Sequence, residues 1–112
     1  MERYIPRKGD FITITLDPQI GYEQKDRRPA LVVSNNLFNG KTGMAVICPI
    51  TNTNRGFPFH VPIPIGTDVT GFVMAEQFRS VDFTSRKARF IACSPDGLLD
   101  QVAELLEVIL NK

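Results

Sequence analysis

The chain has 112 residues, of which 43% are hydrophobic, and its 13 Lys and Arg nearly balance its 12 Asp and Glu. This size predicts a single domain, residues 1–112, with a modest hydrophobic core. The composition excludes a membrane-spanning helix, because no stretch approaches the roughly 20 consecutive apolar residues that such a helix needs. The N-terminus lacks the apolar core of a signal peptide, so we expect a cytoplasmic protein. Cys48 and Cys93 are expected to be reduced and buried.

The charges are unevenly distributed along the chain. Residues 1–91 carry 12 Lys and Arg against 8 Asp and Glu, whereas residues 92–112 carry one Lys against four acidic residues. A basic body with an acidic final segment permits a polyanionic ligand on the body. An excess of this size is also common on ordinary solvated surfaces.

Alternating and continuous apolar runs predict six or seven short strands. We expect a half-buried strand at 11–16, a loop at 17–28, a strand at 29–34 beginning at a proline, and a turn or one helical loop at 35–40. A run that is apolar on both faces, 44–50, predicts a central strand. The prolines in 57–63 predict an edge strand. A further strand at 72–75 is expected to continue into 76–80, followed by a hairpin of 81–83 and 88–92.

The hydrophobic period then lengthens to that of a helix. Ser94 is a favourable N-cap, and Pro95 suits the first helical position. One apolar stripe follows, and the leftover apolar residues Val108 and Leu110 are expected to be available to a partner chain. Short strands followed by one helix predict a mainly β fold, a small, strongly bent antiparallel barrel with a C-terminal α-helix.

The side chains available for chemistry exclude several mechanisms. The chain has one histidine, His60, which the alternation of the predicted edge strand directs toward solvent. We find no cluster with metal-ligand spacing, no Gly-rich phosphate loop and no nucleophile elbow. Arg, Glu, Thr, Ser, Gln and backbone donors remain. They suit RNA cleavage, because RNA supplies its own nucleophile, the 2′-hydroxyl, but they equally suit plain binding.

The sequence resembles the MazF/PemK/Kid family of toxins from bacterial toxin–antitoxin systems along nearly its whole length. The likeness depends on the order and spacing of short segments: Gly9-Asp10, Leu16-Asp17-Pro18, Gly21-Tyr22-Glu23-Gln24, Arg28-Pro29-Ala30-Leu31-Val32-Val33-Ser34, Lys41-Thr42-Gly43-Met44, Pro49-Ile50-Thr51, Gly56-Phe57-Pro58-Phe59 and Glu76-Gln77-Phe78-Arg79-Ser80. The Lys-Thr-Gly-Met and Gly-Phe-Pro-Phe segments are most similar to the MazF branch.

This resemblance implies an SH3-like barrel, a homodimer and an endoribonuclease that needs no metal or other cofactor. Such enzymes cut single-stranded RNA, chiefly mRNA, at specific sequences and leave a 2′,3′-cyclic phosphate and a 5′-hydroxyl. The family's catalytic pair falls on Arg28 and Thr51, and its RNA-positioning pair on Glu23 and Gln24. A cognate antitoxin with an acidic, initially disordered tail is implied as a partner.

Other residues remain open to two interpretations. Gln77, Arg79, Ser80 and Arg86 are candidate RNA contacts, but they equally suit the barrel end, a dimer contact or a solvated hairpin tip. Phe57 and Phe59 are expected in the core rather than as stacking platforms. Arg28 has an alternative role as an ion-pair partner of the preceding acidic loop, and the Thr51 hydroxyl as a cap of the loop that follows.

Two departures from the family limit what the resemblance transfers. The Kid branch uses a histidine in the first long loop, where this chain has Tyr22, and an arginine where this chain has Met74. The role of Glu76 therefore stays open. Two other functions also remain: a gyrase poison of the CcdB type, which depends on a C-terminal Trp that this chain lacks, and a plain SH3-like interaction module.

Overall fold

The structure is a computed structural model that describes residues 3–15 and 27–111. Within these residues the strands are β1 (Asp10–Thr15), β2 (Arg27–Val32), β3 (Met44–Thr51), β4 (His60–Pro62), β5 (Phe72–Met74), β6 (Arg79–Asp82) and β7 (Arg89–Cys93). The helices are α1 (Asn36–Thr42) and α2 (Leu98–Asn111), and a single 3₁₀ turn covers Ala75–Gln77. No helix in this part of the chain is long and apolar enough to cross a membrane.

Strand β3 is the centre of the sheet, as its apolar sequence predicts. One of its edges pairs with β2, while the other pairs first with β6, over Met44–Ile47, and then with β5, at Ile50 and Thr51. The main path through the sheet runs β4-β5-β3-β2-β1-β7, and every pairing is antiparallel. Because one edge of β3 serves two successive partners, the sheet bends strongly there. The predicted mainly β, barrel-like fold with a C-terminal helix is confirmed.

Each face of this bent sheet carries its own hydrophobic cluster. The first face holds Phe11, Leu31 and Val73, and α2 packs on it through Leu98 and Val102. The second face alternates with the first along the strands, and its buried members include Ile12, Ile14, Ala30, Ile47 and Phe83. Burying both faces follows from the period-2 alternation of strand side chains in a sheet that is covered on both sides.

The C-terminal helix begins later than predicted. It starts at Leu98 rather than next to Ser94 and Pro95, because Gly97 adopts a left-handed backbone with φ of 89° and interrupts any earlier helical turn. Its apolar stripe lies on the sheet as expected, whereas Val108 and Leu110 stay exposed.

The predicted hairpin of 81–83 and 88–92 is wrong. Strand β6 pairs with β3 and β7 pairs with β1, so the turn between them connects strands that have different partners. The preceding strand also does not run continuously from 72 to 80, because the 3₁₀ turn separates β5 from β6. The edge position of β4 is confirmed.

The two cysteines differ in exposure, so the prediction that both are buried holds for one of them. Cys48 is buried in the first cluster, and burial, with a smaller contribution from Glu76, raises the pKa of its thiol to about 12. Cys93 is exposed at the end of β7.

Candidate active site

The register of the central strands sets the two predicted catalytic residues opposite each other. In the β2–β3 ladder Leu31 faces Cys48 and Ala30 faces Pro49. The ladder ends at that pair, and extending its register by two residues would set Arg28 opposite Thr51. Directly opposed residues of an antiparallel pair point to the same face, and both side chains line one pocket. The sheet therefore brings a guanidinium and a hydroxyl together, although 22 residues separate them in sequence.

The same face continues across two more strands. Thr51 pairs with Phe72 of β5, Met74 lies two residues further along that face, and His60 of β4 pairs with Met74. One row of side chains thus crosses β2, β3, β5 and β4 and ends at the edge strand.

This row forms the floor of a pocket of about 380 Å³. The pocket is lined by Arg28, Thr51, Arg55, Phe57, His60, Met74, Glu76 and Gln77. Two guanidinium groups face one carboxylate here, so the lining carries an excess of positive charge when His60 is neutral. A pocket of this charge suits a phosphodiester.

The Arg28 side chain has no ion pair or hydrogen bond with any residue in the described part of the chain. The acidic loop that offers the alternative partners, Glu23 among them, lies outside the described residues, as does Gln24. The neighbouring Arg27 is held instead: its guanidinium donates to the carbonyl and hydroxyl of Thr13 and to the hydroxyl of Thr15. Arg27 thereby fixes the start of β2 while Arg28 lines the pocket.

The Thr51 hydroxyl caps the following loop, which was the alternative role for this residue. Its oxygen accepts a hydrogen bond of 3.1 Å from the backbone N–H of Thr53. A hydroxyl that accepts one bond keeps its own O–H as a donor. Capping therefore orients the hydroxyl and leaves its proton free for a ligand, so the two roles are compatible.

His60 does not face solvent, which contradicts the sequence-based prediction. Its side chain is only 5% exposed, and its Nε2 lies 3.0 Å from Oε2 of Glu76, which is 24% exposed. The alternation itself is correct, since Val61 points into the first cluster. The opposite side of β4 is covered because Glu76 bonds to the His60 ring and the Phe57 ring packs on it.

Phe57 was also predicted incorrectly, since it is not a core residue. It is 47% exposed, and its ring meets the His60 ring edge to face, with centroids 5.1 Å apart. Arg55, Phe57, His60 and Met74 are pocket residues that the sequence did not assign. The paired register of β3, β4 and β5 is the signal that identifies the last two.

The other predicted RNA contacts lie in different places. Gln77 lines the pocket. Arg79 and Ser80 are exposed on β6, opposite Ile47 and Val46, and neither lines the pocket. Arg86 lies in the turn after β6, where its guanidinium donates to the carbonyl of Thr15 at 3.1 Å.

A bent antiparallel sheet with a cationic, hydroxyl-bearing pocket defines a class of small β proteins suited to binding a phosphodiester. A comparison with known protein families assigns the chain more specifically. Residues 7–110 match the sequence model of the family described as the PemK-like, MazF-like toxin of type II toxin–antitoxin systems, and the chain belongs to this family.

Individual relatives agree with this assignment. The chain is 39% identical over 88 residues to the endoribonuclease toxin MazF of Escherichia coli K12, covering 79% of this chain and 78% of that protein. It is 34% identical over 109 residues to the endoribonuclease toxin ChpB of the same strain, covering 93% of each.

Solved structures show the same fold. The crystal structure of MazF from Deinococcus radiodurans superposes with a TM-score of 0.88 at 39% identity, covering 98% of this chain and all of that one. A chain of a MazE–MazF crystal structure from the same organism superposes with a TM-score of 0.86 at 35% identity, covering 97% and 98% of the two chains.

Proposed function

We propose that this single-domain chain is a sequence-specific endoribonuclease toxin that cuts single-stranded RNA, chiefly mRNA, in the cytoplasm and without a metal. The 2′-hydroxyl attacks the adjacent phosphorus and displaces the 5′-oxygen, which leaves a 2′,3′-cyclic phosphate and a 5′-hydroxyl. The relatives named as endoribonucleases support the substrate class.

The observation that carries this proposal is the meeting of Arg28 and Thr51 in one pocket. Arg28 has no counter-ion among the described residues, so its planar fork of donors is available to the phosphate oxygens. Thr51 offers its O–H from a hydroxyl that the N–H of Thr53 already orients. Donors fixed before the reaction stabilise the charge that develops on the phosphorane oxygens.

Further residues are proposed to hold the RNA strand. Gln77 is proposed to contact the RNA inside the pocket, since its side chain lines the pocket wall. Glu23 and Gln24, in the segment that precedes β2 in sequence, are proposed to position the RNA strand. Arg79, Ser80 and Arg86 are proposed as contacts to RNA beyond the pocket.

A cognate antitoxin with an acidic, initially disordered tail is proposed to neutralise the toxin. The excess of Lys and Arg in residues 1–91 supports an acidic partner. The MazE–MazF crystal structure from Deinococcus radiodurans supports a partner of the MazE kind, since it contains that relative together with MazE. We also propose a homodimer, with the exposed Val108 and Leu110 among its candidate contacts.

The decisive experiment is cleavage of a long single-stranded RNA in excess EDTA. Arg28→Ala and Thr51→Val are compared with Arg7→Ala, which removes the same charge from an exposed residue away from the pocket, and with Thr51→Ser, which keeps the hydroxyl. Discrete cuts with cyclic phosphate ends are expected from the wild type, Arg7→Ala and Thr51→Ser. Loss of one oriented donor is expected to reduce the rate by roughly 10²–10³-fold.

Two results would contradict the proposal. One is a folded wild-type protein that leaves many varied RNAs intact, which would turn attention to protein targets such as gyrase. The other is full cleavage by Arg28→Ala, which would remove the guanidinium from the mechanism.

A further inference from the structure

The pair formed by His60 and Glu76 is only half satisfied. One contact joins the two side chains, Nε2 to Oε2 at 3.0 Å, and both remaining polar atoms, His60 Nδ1 and Glu76 Oε1, are buried without a partner in the described part of the chain. Buried polar atoms almost always have partners, so such an exception calls for a functional explanation.

The environment of this pair joins it to the proposed reaction. The described ionisable groups that share its pocket are Arg28 from β2 and Arg55 from the loop that follows β3. Both are cations. A carboxylate that shares its pocket with two cations, where we propose that the phosphodiester binds, is placed to act on the substrate rather than to stabilise the sheet alone.

We infer that His60 is a positioning residue for RNA cleavage, which holds the Glu76 carboxylate so that it takes the proton of the attacking 2′-hydroxyl. This inference rests on the proposed endoribonuclease function. As the 2′-oxygen forms its bond to phosphorus, its proton passes to Oε2 of Glu76, because Oε1 is buried and Oε2 keeps a second acceptor position beside its bond to His60. The bond between phosphorus and the 5′-oxygen breaks, that oxygen takes a proton from water, and Glu76 later returns its proton to water.

The geometry favours positioning over direct proton transfer by the imidazole. The ring is fixed twice: Nε2 is bonded to Glu76, and Phe57 packs edge to face on the ring. Its only other nitrogen, Nδ1, is buried. His60 is therefore suited to fix the direction of the carboxylate, just as a second group orients a catalytic base in other hydrolytic sites.

Three variants separate this role from the alternatives. His60→Gln keeps an N–H donor near the position of Nε2, His60→Leu removes it, and Glu76→Gln keeps an acceptor for His60 but loses the base. We measure the single-turnover rate at saturating enzyme and, separately, the affinity for an RNA with a 2′-deoxy nucleotide at the cut site. Urea unfolding verifies that each variant is folded.

We expect these variants to change the single-turnover cleavage rate and not the affinity for the uncleavable RNA. Glu76→Gln is expected to lose roughly 10²–10⁴-fold in rate, which is the usual contribution of a general base. His60→Leu is expected to lose roughly 10–100-fold, as is common for a group that orients a functional ligand. His60→Gln is expected to stay within about threefold of the wild type on the same physical ground, because it retains the donor.

Three results would overturn the inference. His60→Gln as slow as His60→Leu would make the imidazole itself the proton carrier. An unchanged rate in His60→Leu would make the pair structural, and weaker binding of the uncleavable RNA with an unchanged saturated rate would make it a binding contact.

A readout independent of cleavage is available because His60 is the only histidine in the chain. Its imidazole N–H signal in NMR needs no assignment. We expect a signal protected from exchange in the wild type and lost in Glu76→Leu. If that signal is present but the wild type cuts no RNA, the proposed function fails while the hydrogen bond stands; if cleavage is normal but the signal is absent, the positioning inference fails alone.

Discussion

Gly71 lies where the start of β5 approaches the end of β3, and a methyl group there would disturb the site. A Cβ built on Gly71 would lie 2.3 Å from the carbonyl oxygen of Thr51, about 1 Å short of the 3.4 Å at which ordinary contact begins. This closest atom is part of the backbone, so it cannot move aside as the end of a flexible side chain could. Gly71→Ala must therefore displace the strand end that carries the Thr51 hydroxyl.

The displacement gives a magnitude for the loss of activity. A misplacement of about 1 Å in a catalytic site reduces the rate by roughly 100-fold. The backbone adds strain of its own, since φ is 116° at Gly71, and a side chain in such a region costs about 1–3 kcal/mol. We expect Gly71→Ala to lose about 100-fold in single-turnover RNA cleavage, together with several kcal/mol of unfolding free energy in urea.

Gly66→Ala is the matched control. Gly66 has φ of 99°, and a Cβ there would meet nothing within 4 Å. This variant carries the strain without the clash, and we expect it to lose only about 1–3 kcal/mol of stability and none of the cleavage rate. Rates are compared at a temperature where circular dichroism shows both proteins folded. Equal rates in the two variants would refute the argument that the close approach at Thr51 sets the site.

Three further predictions concern separate features. Asn39 is fully buried, and its amide donates to the carbonyls of Pro6 and Ser34. Asn39→Leu is expected to destabilise the fold by about 2–6 kcal/mol in urea, since each of the two orphaned acceptors costs about 1–3 kcal/mol. An effect below that of the exposed Asn36→Leu would contradict this. Burial, and to a smaller extent the hydrogen bond to Asp10, raises the pKa of Tyr4. The folded state therefore keeps the phenol neutral, and stability is expected to fall above about pH 10, the pKa of an ordinary tyrosine. The urea midpoint measured from pH 8 to 11 should fall less in Tyr4→Phe than in the wild type. The exposed ring of Phe57 is expected to stack on a base, so Phe57→Ala should weaken binding of uncleavable RNA by about 1–3 kcal/mol, while Phe57→Tyr should bind as the wild type does. Equal affinities of Phe57→Ala and the wild type would give Phe57 a purely structural role.

Local patterns were sufficient for most of the fold. The alternation in β1, the apolar run of β3 and the prolines in and before β4 each depend on one segment, and the structure agrees with all three. The order in which strands pair is not local. Strands β6 and β7 follow one another across a short turn, yet each finds a better partner in β3 and β1.

The predictions for the site show the same difference between local patterns and non-local contacts. Arg28 and Thr51 were assigned through family resemblance, and the register of β2 and β3 explains why they meet. His60 was assigned to solvent because alternation alone distinguishes two faces of a strand without saying what covers each. Glu76 and Phe57, which lie outside β4, cover its second face and make it a pocket wall. The start of α2 depended on the backbone of Gly97, which no N-cap pattern reveals.

The pocket draws its residues from two kinds of scaffold, and this has a consequence for how such a protein can diverge. Arg28 and Thr51 belong to the central strands β2 and β3, where a one-residue shift of register would move the buried side chains to the opposite face of the sheet. Arg55 and Phe57 belong to the 52–59 loop, which joins the central strand to the outermost one and is largely exposed. That loop can change its length or side chains while the ladder stays intact. If the proposed function holds, a preference for a new nucleotide sequence can thus arise at the loop without any cost to the groups proposed to act on the phosphodiester.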